Sequence, residues 1–473
     1  MLGHVRYLFE LIRPELYQYF VESDTEGVPF GRDRRSLIYQ RSKDVRDTVP
    51  FGTKEDLYEV GYEWVNHSMA PLHLNAADMR LQIGGKDCQQ PYSCSLLNIS
   101  AMSFGSLSRN AVLALSGGAK MGGFAHNTGE GGVSSYHIEG GADLIWQVGT
   151  GYFGCRNDDG TFCPDRFAKT AAQPNIKMIE IKLSQGAKPG HGGILPGTKV
   201  TNEIATIRGV PVGQDVLSPP GHSVFSTPIG LLEFVAQAQK LSGGKPVGIK
   251  LCVGKRREFL AICKAMRETK ITPDFITVDG GEGGTGAAPL EFSNHIGSPL
   301  VQGLIFVQNA LTGFSLREEI RLLASGKVSS AFEMLKLLAI GADGCYSARA
   351  MLMAVGCIQA LKCNSNHCPT GVATQNESLM AGLVPADKIR RVANYHRETI
   401  HSLSEMLGAL GLENASQLRP WHVMCRVSPS QTRHYGEIYE FLEKGALLQA
   451  ELPESFQRAC QAASAQTFNH REA

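Results

Sequence analysis

Short apolar runs recur along the chain between residues 95 and 348, and each alternates with a segment of helical periodicity. Nearly continuous apolar strands separated by helices are typical of parallel sheets with both faces covered. Eight such units predict an α/β fold, a closed (β/α)8 TIM barrel, although an open doubly wound sheet fits the same alternation. The eight predicted strands are 95–100, 123–129, 178–183, 214–218, 247–253, 275–280, 321–326 and 343–348.

Ligand-like residues at the ends of all eight runs favour the barrel, because barrel active sites lie on that face. Two predicted loops, about 131–177 and 281–318, are long and suit lids or ligand walls. We assign residues 86–375 to the barrel. Residues 1–85 are rich in charge and aromatic groups and are interpreted as an extension that wraps it. Residues 376–473 are interpreted as a helical C-terminal appendage, with a clear helical period over 386–412.

Composition excludes several classes of function. The formal net charge of +1 gives no reason to expect nucleic acid or an anionic membrane as a partner. No apolar run reaches the roughly 20 residues that span a bilayer, and residues 1–20 are amphipathic rather than a signal peptide. Twelve cysteines in 473 residues are too dilute for a disulfide framework. We therefore expect a reducing, cytoplasmic location.

Three cysteines follow the last predicted strand closely. Cys357, Cys363 and Cys368 have the spacing Cys-x5-Cys-x4-Cys, and the loop between the last two is polar and tight. Soft thiolate ligands so close together suit an iron–sulfur cluster, whereas structural zinc normally takes four ligands at shorter gaps. The alternative is three incidental thiols, since buried cysteine behaves as a small hydrophobic residue.

The run GCIQALKCNSNHCPTGVATQ, residues 356–375, resembles the cluster-binding segment of glutamate synthases, and the similarity continues in separate blocks over most of residues 90–375. The resemblance implies FMN in the barrel and a [3Fe-4S] cluster on the three cysteines. It also implies a reaction: 2-oxoglutarate condenses with ammonia, and reduced FMN delivers hydride to 2-iminoglutarate, which gives glutamate.

Two signals that a complete glutamate synthase would carry are not found in the sequence. The first cysteine is Cys88, so we expect ammonia to come from a separate source rather than from an N-terminal nucleophilic cysteine. No GxGxxG fingerprint follows a strand and opens a helix, so a reductase subunit or a ferredoxin is the expected electron donor. A homo-oligomer and membrane association of a longer form stay open.

Three charged residues are the candidates for catalysis. Glu130 lies between glycines in HNTGEGGVSS, which suits a positioned acid or base. Lys188 and Arg208 fall where the family binds substrate, and two cations suit the two carboxylates of 2-oxoglutarate; Lys188 as a solvated loop lysine is the alternative. Where the family is expected to have Glu and Gln, this chain has His191 and Ile194, which leaves the oxo acid open.

The resemblance also supplies the candidate FMN contacts. Lys250 lies in the middle of an apolar strand, where it would either face the flavin N1–C2 carbonyl or pair with Asp279. The loops after strands seven and eight are the usual phosphate site of barrels. The predicted contacts are Ala101, Met102, Ser103 and Gln147 at the ring, Lys250, Asp279, Gly281 and Gly284 beside it, and Ser325, Gly326, Lys327, Ser347 and Ala348 at the phosphate.

Two other functions fit the same sequence. One is an FMN barrel oxidoreductase on a different oxo acid or amine, such as one that forms N-methylglutamate, and Ile194 motivates it. The other is a non-catalytic electron-transfer or assembly subunit that retains the fold.

Overall fold

A computed structural model describes residues 29–45, 47 and 51–469. Its centre is a closed barrel of eight parallel strands in chain order, which confirms the predicted (β/α)8 fold. The strands are β1 (Leu97–Ile99), β2 (Ala125–Asn127), β3 (Asp143–Val148), β4 (Ile176–Lys182), β5 (Val247–Leu251), β6 (Phe275–Asp279), β7 (Arg321–Ser325) and β8 (Gly344–Ser347).

One of the eight predicted strands was wrong. The run 214–218 lies outside the barrel, where Val216–Leu217 pairs antiparallel with Ile194–Leu195. The missing barrel strand is β3, which lies inside the stretch 131–177 that was predicted to be a long loop. The longest excursion from the barrel is therefore the segment between β4 and β5, residues 183–246.

Helices surround the barrel, and two of them lie in each of the two predicted long loops. In the described part of the chain they are α1 (Arg32–Ser42), α2 (Arg109–Gly122), α3 (Ser135–Glu139), α4 (Pro164–Ala171), α5 (Asn202–Arg208), α6 (Pro228–Leu241), α7 (Arg256–Thr269), α8 (Leu290–His295), α9 (Leu300–Gly313), α10 (Ala331–Ala339), α11 (Arg349–Val355), α12 (Glu377–Met380), α13 (Pro385–Ala409), α14 (Tyr435–Ile438) and α15 (Glu454–Ala462). None of them combines the length and the apolar character needed to cross a bilayer.

A hairpin closes the N-terminal end of the barrel. Its strands, Arg80–Ile83 and Tyr92–Ser95, pair antiparallel just before β1. Ile83 and Cys94 of this hairpin join a separate buried cluster with side chains from six barrel strands: Ala125, Ile145, Met178, Phe275, Leu323 and Tyr346. Burial of each large apolar side chain contributes roughly 1.5–3 kcal/mol. Because buried side chains fill this end of the barrel, a site can form only at the other end, where the strands have their carboxyl ends.

The region after residue 375, predicted to be a helical appendage, contains two strands as well as helices. The strand Val423–Ser428 pairs with Gln431–His434 and, on its other side, with Glu63–Val65 from the N-terminal region. Helix α13 packs on α2, where a Cβ added at Gly118 would lie 2.5 Å from Val392. The division at residues 85 and 375 stays a prediction, and residues 1–28 lie outside the described part.

Candidate active site

A buried carboxylate organises the polar layer inside the barrel. Glu180, on β4, is fully buried. Its oxygens accept hydrogen bonds from Asn127 Nδ2 at 2.8 Å, Gln147 Nε2 at 2.7 Å and Thr277 Oγ1 at 2.6 Å. The predicted flavin contact Gln147 is thus held by Glu180 below the mouth of the barrel. A carboxylate in this position is tolerable because side chains from three other strands, β2, β3 and β6, supply its donors.

Glu130 lies at the mouth of the barrel in an ion pair. Its Oε2 is 3.0 Å from the Nζ of Lys182, the last residue of β4. Two glycines leave room for it, since a Cβ added at Gly149 or Gly193 would lie 2.8 or 2.4 Å from the Glu130 side chain. Burial opposes ionisation of Glu130, but Lys182, Arg208 and Lys188 together outweigh it and lower the pKa of the carboxyl.

Lys188 and Arg208 complete this group. Both side chains are buried, and both interact electrostatically with Glu130. Burial lowers the pKa of Lys188 to about 8, against the opposing charge of Glu130. Arg208 donates to the carbonyl of Phe104 at 3.2 Å, and its guanidinium carbon lies 5.2 Å from the centre of the Phe153 ring. Its Nε has no hydrogen-bond partner among the described residues.

The three predicted catalytic residues thus come together, and one further residue joins them. Sequence reasoning missed Lys182, although it lies in the predicted strand 178–183, within the run IEIKL. Lys182 follows Glu180 at a spacing of two, which puts both side chains on the same side of a strand. A lysine within an apolar strand was recognised at Lys250 and overlooked here.

A second part of the mouth is a cavity at the ends of β1 and β5–β8. Eight predicted cofactor contacts line it: Ala101, Lys250, Asp279, Gly284, Ser325, Gly326, Lys327 and Ala348. Eight lining residues were not predicted: Phe30, Ser100, Gln185, Ala187, Gly283, Val328, Tyr346 and Arg349. Seven of these eight are uncharged, so no charge distinguishes them in the sequence, and Arg349 is a cation that sequence reasoning missed.

The other five predicted cofactor contacts do not line this cavity. Gln147 is bound to Glu180. Ser103 donates its hydroxyl to Ser106 at 3.0 Å, and the hydroxyl of Ser347 donates to the carbonyl of Val328 at 2.7 Å. The remaining two are held through their backbones: the amide of Met102 donates to Asn127 O at 3.0 Å, and that of Gly281 to Ser298 O at 2.8 Å.

Lys250 is paired, as the alternative interpretation of its strand proposed. Its Nζ lies 3.3 Å from Asp279 Oδ2, and the side chains are 5% and 9% exposed. The same carboxylate accepts the backbone N–H of Gly186 at 2.8 Å. Burial disfavours the charged ammonium, but Asp279, Glu180 and Glu130 outweigh this and raise the pKa of Lys250. The cation is therefore held in a fixed position at the edge of the cavity.

Two cations, Lys327 and Arg349, lie at the far end of the cavity. Burial, together with the charges of Arg349 and Arg34, lowers the pKa of Lys327. Arg349, at the start of α11, donates to the carbonyl of Glu282 and lies 5.1 Å from the ring centre of Phe30. Mutual repulsion of this kind suits an anionic group such as phosphate.

In the described part of the chain none of the three predicted metal ligands forms a disulfide; Cys368 is buried, Cys357 half-buried and Cys363 exposed. Cys357 Sγ accepts the backbone N–H of Gln359 at 3.4 Å, and Cys368 Sγ lies 3.6 Å from the hydroxyl of Thr370. Within the described residues, no three His, Cys, Asp or Glu side chains converge so as to hold one metal ion.

The two residues that depart from the expected pattern lie in the excursion between β4 and β5. His191 packs its ring edge-on to Phe292, with centres 5.3 Å apart, and its Nδ1 lies 3.1 Å from Gly192 O. Ile194 is half-buried and opens the short pairing with Val216–Leu217. Gly193 lies between them, and a Cβ added there would lie 2.4 Å from Glu130 Oε1. The segment that differs from the expected family pattern therefore lies next to Glu130, the proposed catalytic carboxylate.

A closed β/α barrel with an ion-paired carboxylate and buried cations at its strand ends defines a barrel enzyme. The conserved region of glutamate synthase matches residues 54–413. The chain therefore belongs to the glutamate synthase family and is an oxidoreductase.

Named relatives agree with this assignment. The chain is 36% identical to the glutamate synthase large subunit-like protein YerD of Bacillus subtilis, over 90% of this chain and 88% of that protein. It is 36% identical to the archaeal glutamate synthase [NADPH] of Methanocaldococcus jannaschii, over 68% of this chain, but spans only 60% of that protein. A mandelate oxidase structure with an FMN adduct aligns with a TM-score of 0.45 and 14% identity, over 91% of this chain and 99% of that one.

Proposed function

We propose that the chain aminates 2-oxoglutarate reductively to glutamate, with 2-iminoglutarate as the intermediate. The observation that carries this proposal is the surplus of positive charge at the mouth of the barrel. Lys182, Lys188 and Arg208 surround a single carboxylate, Glu130. Three cations and one anion leave two positive charges without a partner, which matches the two carboxylates of 2-oxoglutarate.

Each residue of this group has a role that its contacts support. Lys188 and Arg208 bind the substrate carboxylates, and the unpartnered Nε of Arg208 is available as a donor. Glu130 is ionised at neutral pH because its pKa is lowered, so it serves as the proton acceptor during amination. Lys182 holds Glu130 in place and keeps it charged.

FMN is the proposed cofactor, and the cavity beside this group fits it. When bound, FMN supplies the hydride for the imine. Lys250, fixed by Asp279, is placed to stabilise negative charge on the ring. Lys327 and Arg349 offer positive charge for the phosphate at the ends of β7 and β8, where barrels usually bind phosphate.

A [3Fe-4S] cluster on Cys357, Cys363 and Cys368 is proposed as the one-electron relay. In such a cluster each thiolate binds a different iron, so the ligands need not converge on one metal position. The donor set fits, because all three thiols are free of disulfides and two of the sulfurs have N–H or O–H groups nearby. Electrons would come from a ferredoxin or a reductase subunit, and ammonia from a separate source.

The test is turnover of the anaerobically purified protein with 2-oxoglutarate, ammonium and artificially reduced flavin. We expect glutamate, together with bound FMN, iron and sulfide counted per chain. A Glu130→Gln variant should retain FMN and lose glutamate formation. Absence of glutamate with the wild type would reject the activity. Flavin that is reduced but turns over no substrate would favour the electron-transfer subunit instead.

A second candidate function follows from Ile194 and His191. An isoleucine cannot hydrogen-bond the substrate, so a different oxo acid, or an alkylamine in place of ammonia, is a direct alternative. Parallel assays with methylamine and with oxo acids of different length distinguish them. A kcat/KM for another pair that exceeds the value for 2-oxoglutarate and ammonium would favour this alternative.

A further inference from the structure

A buried lysine lies beside the cysteine loop without a carboxylate partner. Lys199 is 2% exposed. Its ammonium donates to three backbone carbonyls, those of Cys363 at 2.7 Å, Ala373 at 2.9 Å and Ser106 at 3.1 Å. Among the described residues it forms no ion pair, since no carboxylate oxygen lies within 4 Å of its Nζ. Carbonyls satisfy the N–H groups, but they leave the net charge uncompensated.

The nearest groups that can become negative are thiols. Cys363 and Cys368, two of the three proposed iron ligands, interact electrostatically with the Lys199 ammonium. The loop that carries them is fixed to the Lys199 segment by a second contact, because Asn366 Nδ2 donates to Thr198 O at 3.0 Å. The cation and the thiols therefore keep one relative position.

We propose that Lys199 is the counter-charge of the iron–sulfur centre, and that it positions the cysteine loop and raises the reduction potential of the cluster. This inference rests on the proposed cluster. Thiolate ligation places several negative charges near the ammonium, and reduction adds one more electron. A fixed cation stabilises the reduced form more than the oxidised form, and nearby charge is one of the factors that set cluster potentials.

The contact with Ser106 extends this role toward the predicted flavin edge. Ser106 lies in the loop after β1, a few residues beyond the predicted ring contacts Ala101, Met102 and Ser103. A single ammonium thus connects the cysteine loop to the loop that follows β1. Lys199 is therefore a positioning residue for electron transfer, and it is not a residue that touches the substrate.

A second buried lysine supplies a matched control. Lys245 is 7% exposed and donates to the carbonyls of Ala171 at 2.5 Å and Gln173 at 3.2 Å. It lies just before β5, at the opposite end of the barrel from the strand ends that form the site. Replacing it removes a buried ammonium and its carbonyl contacts without touching the cysteine loop.

The experiment is an anaerobic redox titration of wild type, Lys199→Gln, Lys199→Arg and Lys245→Gln, followed by the EPR signal of the cluster. Iron and sulfide are counted in each chain. At a fixed potential we expect Lys199→Gln to lower the ratio of reduced to oxidised cluster about tenfold, which is about 59 mV for a one-electron couple. Lys199→Arg and Lys245→Gln should stay within about twofold of wild type.

Each outcome decides the inference. A wild-type potential in Lys199→Gln, with iron present, overturns it and leaves the cluster proposal intact. Wild type without iron or sulfide overturns both together. If Lys199→Gln loses its iron, retention by Lys199→Arg and Lys245→Gln supports the counter-charge, whereas loss in Lys199→Arg or in Lys245→Gln overturns it.

Discussion

The carboxylate of Glu130 lies 3.0 Å from the ammonium of Lys182, and this ion pair joins the loop after β2 to the end of β4. The two side chains are only 19% and 9% exposed. Charges this well shielded interact more strongly than exposed pairs do. The pair therefore fixes both the position and the ionisation of the proposed proton acceptor.

Replacing Lys182 with methionine should raise the pKa of Glu130 and slow glutamate formation. Burial alone favours the protonated carboxyl, and Lys182 makes the largest opposing contribution. We expect a loss in kcat of about 100-fold at neutral pH, typical of disturbed acid–base catalysis. The acid limb of the pH–rate profile should move to higher pH. Lys182→Arg keeps the charge, and an equal acid-limb shift in that variant would contradict this explanation.

Replacing Gly193 with alanine should displace Glu130. The added Cβ would lie 2.4 Å from Glu130 Oε1, too close for any real contact. The backbone at this position is not left-handed, so alanine is conformationally tolerated. We expect kcat to fall at least about tenfold while the melting temperature changes little. Gly221→Ala, where the new Cβ meets nothing within 4 Å, is the control in the same excursion.

The sequence was sufficient for the barrel but not for every strand. Seven of the eight runs became barrel strands because apolar composition predicts strands buried on both faces. β3 begins at Asp143 and follows two glycines, so it was interpreted as part of a loop. The run 214–218 was counted as a barrel strand instead of β3. Local apolarity cannot show which neighbour a strand pairs with, and Val216 pairs outside the barrel.

The charged residues of the site could also be proposed from the sequence, but the ion pair between Glu130 and Lys182 could not. Glu130 is distinctive in sequence because it lies between glycines, whereas Lys188 and Arg208 were proposed from the resemblance to the glutamate synthase family. Their convergence with Lys182 depends on the excursion between β4 and β5, which folds back over the mouth. Phe30 lines the cofactor cavity from outside the barrel. Nothing in its local sequence marks that contact.

Substrate binding should weaken at high pH, where Lys188 loses its charge. Burial lowers its pKa to about 8, so in the free enzyme the ammonium is half neutral near that pH. If it binds a substrate carboxylate, the KM for the oxo acid should rise above pH 8, by up to about tenfold per pH unit. Lys188→Arg stays charged over this range, and its KM should be flatter. A wild-type KM that is constant to pH 9.5 would rule out this role.

Breaking the Lys250–Asp279 pair should destabilise the chain even without cofactor. Both side chains are nearly inaccessible, and removing one partner of a buried pair typically costs about 3–5 kcal/mol. We expect Lys250→Met to lower the free energy of unfolding by that order, measured by urea denaturation of flavin-free protein. The double variant with Asp279→Leu removes both charges and should recover much of the loss. A double variant as unstable as the single one would show that the pair itself is not the cause.

Ile194 should determine which oxo acid the enzyme prefers. It is half-buried and lies one residue after Gly193, where an added Cβ would meet the Glu130 carboxylate. Ile194→Gln restores the polar side chain expected in the family and places an amide donor near the substrate. If 2-oxoglutarate is the wrong substrate for this chain, Ile194→Gln should lower the KM for 2-oxoglutarate by about tenfold, the value of one added hydrogen bond to a charged group. Ile194→Leu keeps the site apolar and should leave that KM unchanged. If the wild type already binds 2-oxoglutarate as tightly as Ile194→Gln does, the polar contact is dispensable. Isoleucine at position 194 would then not indicate a different substrate.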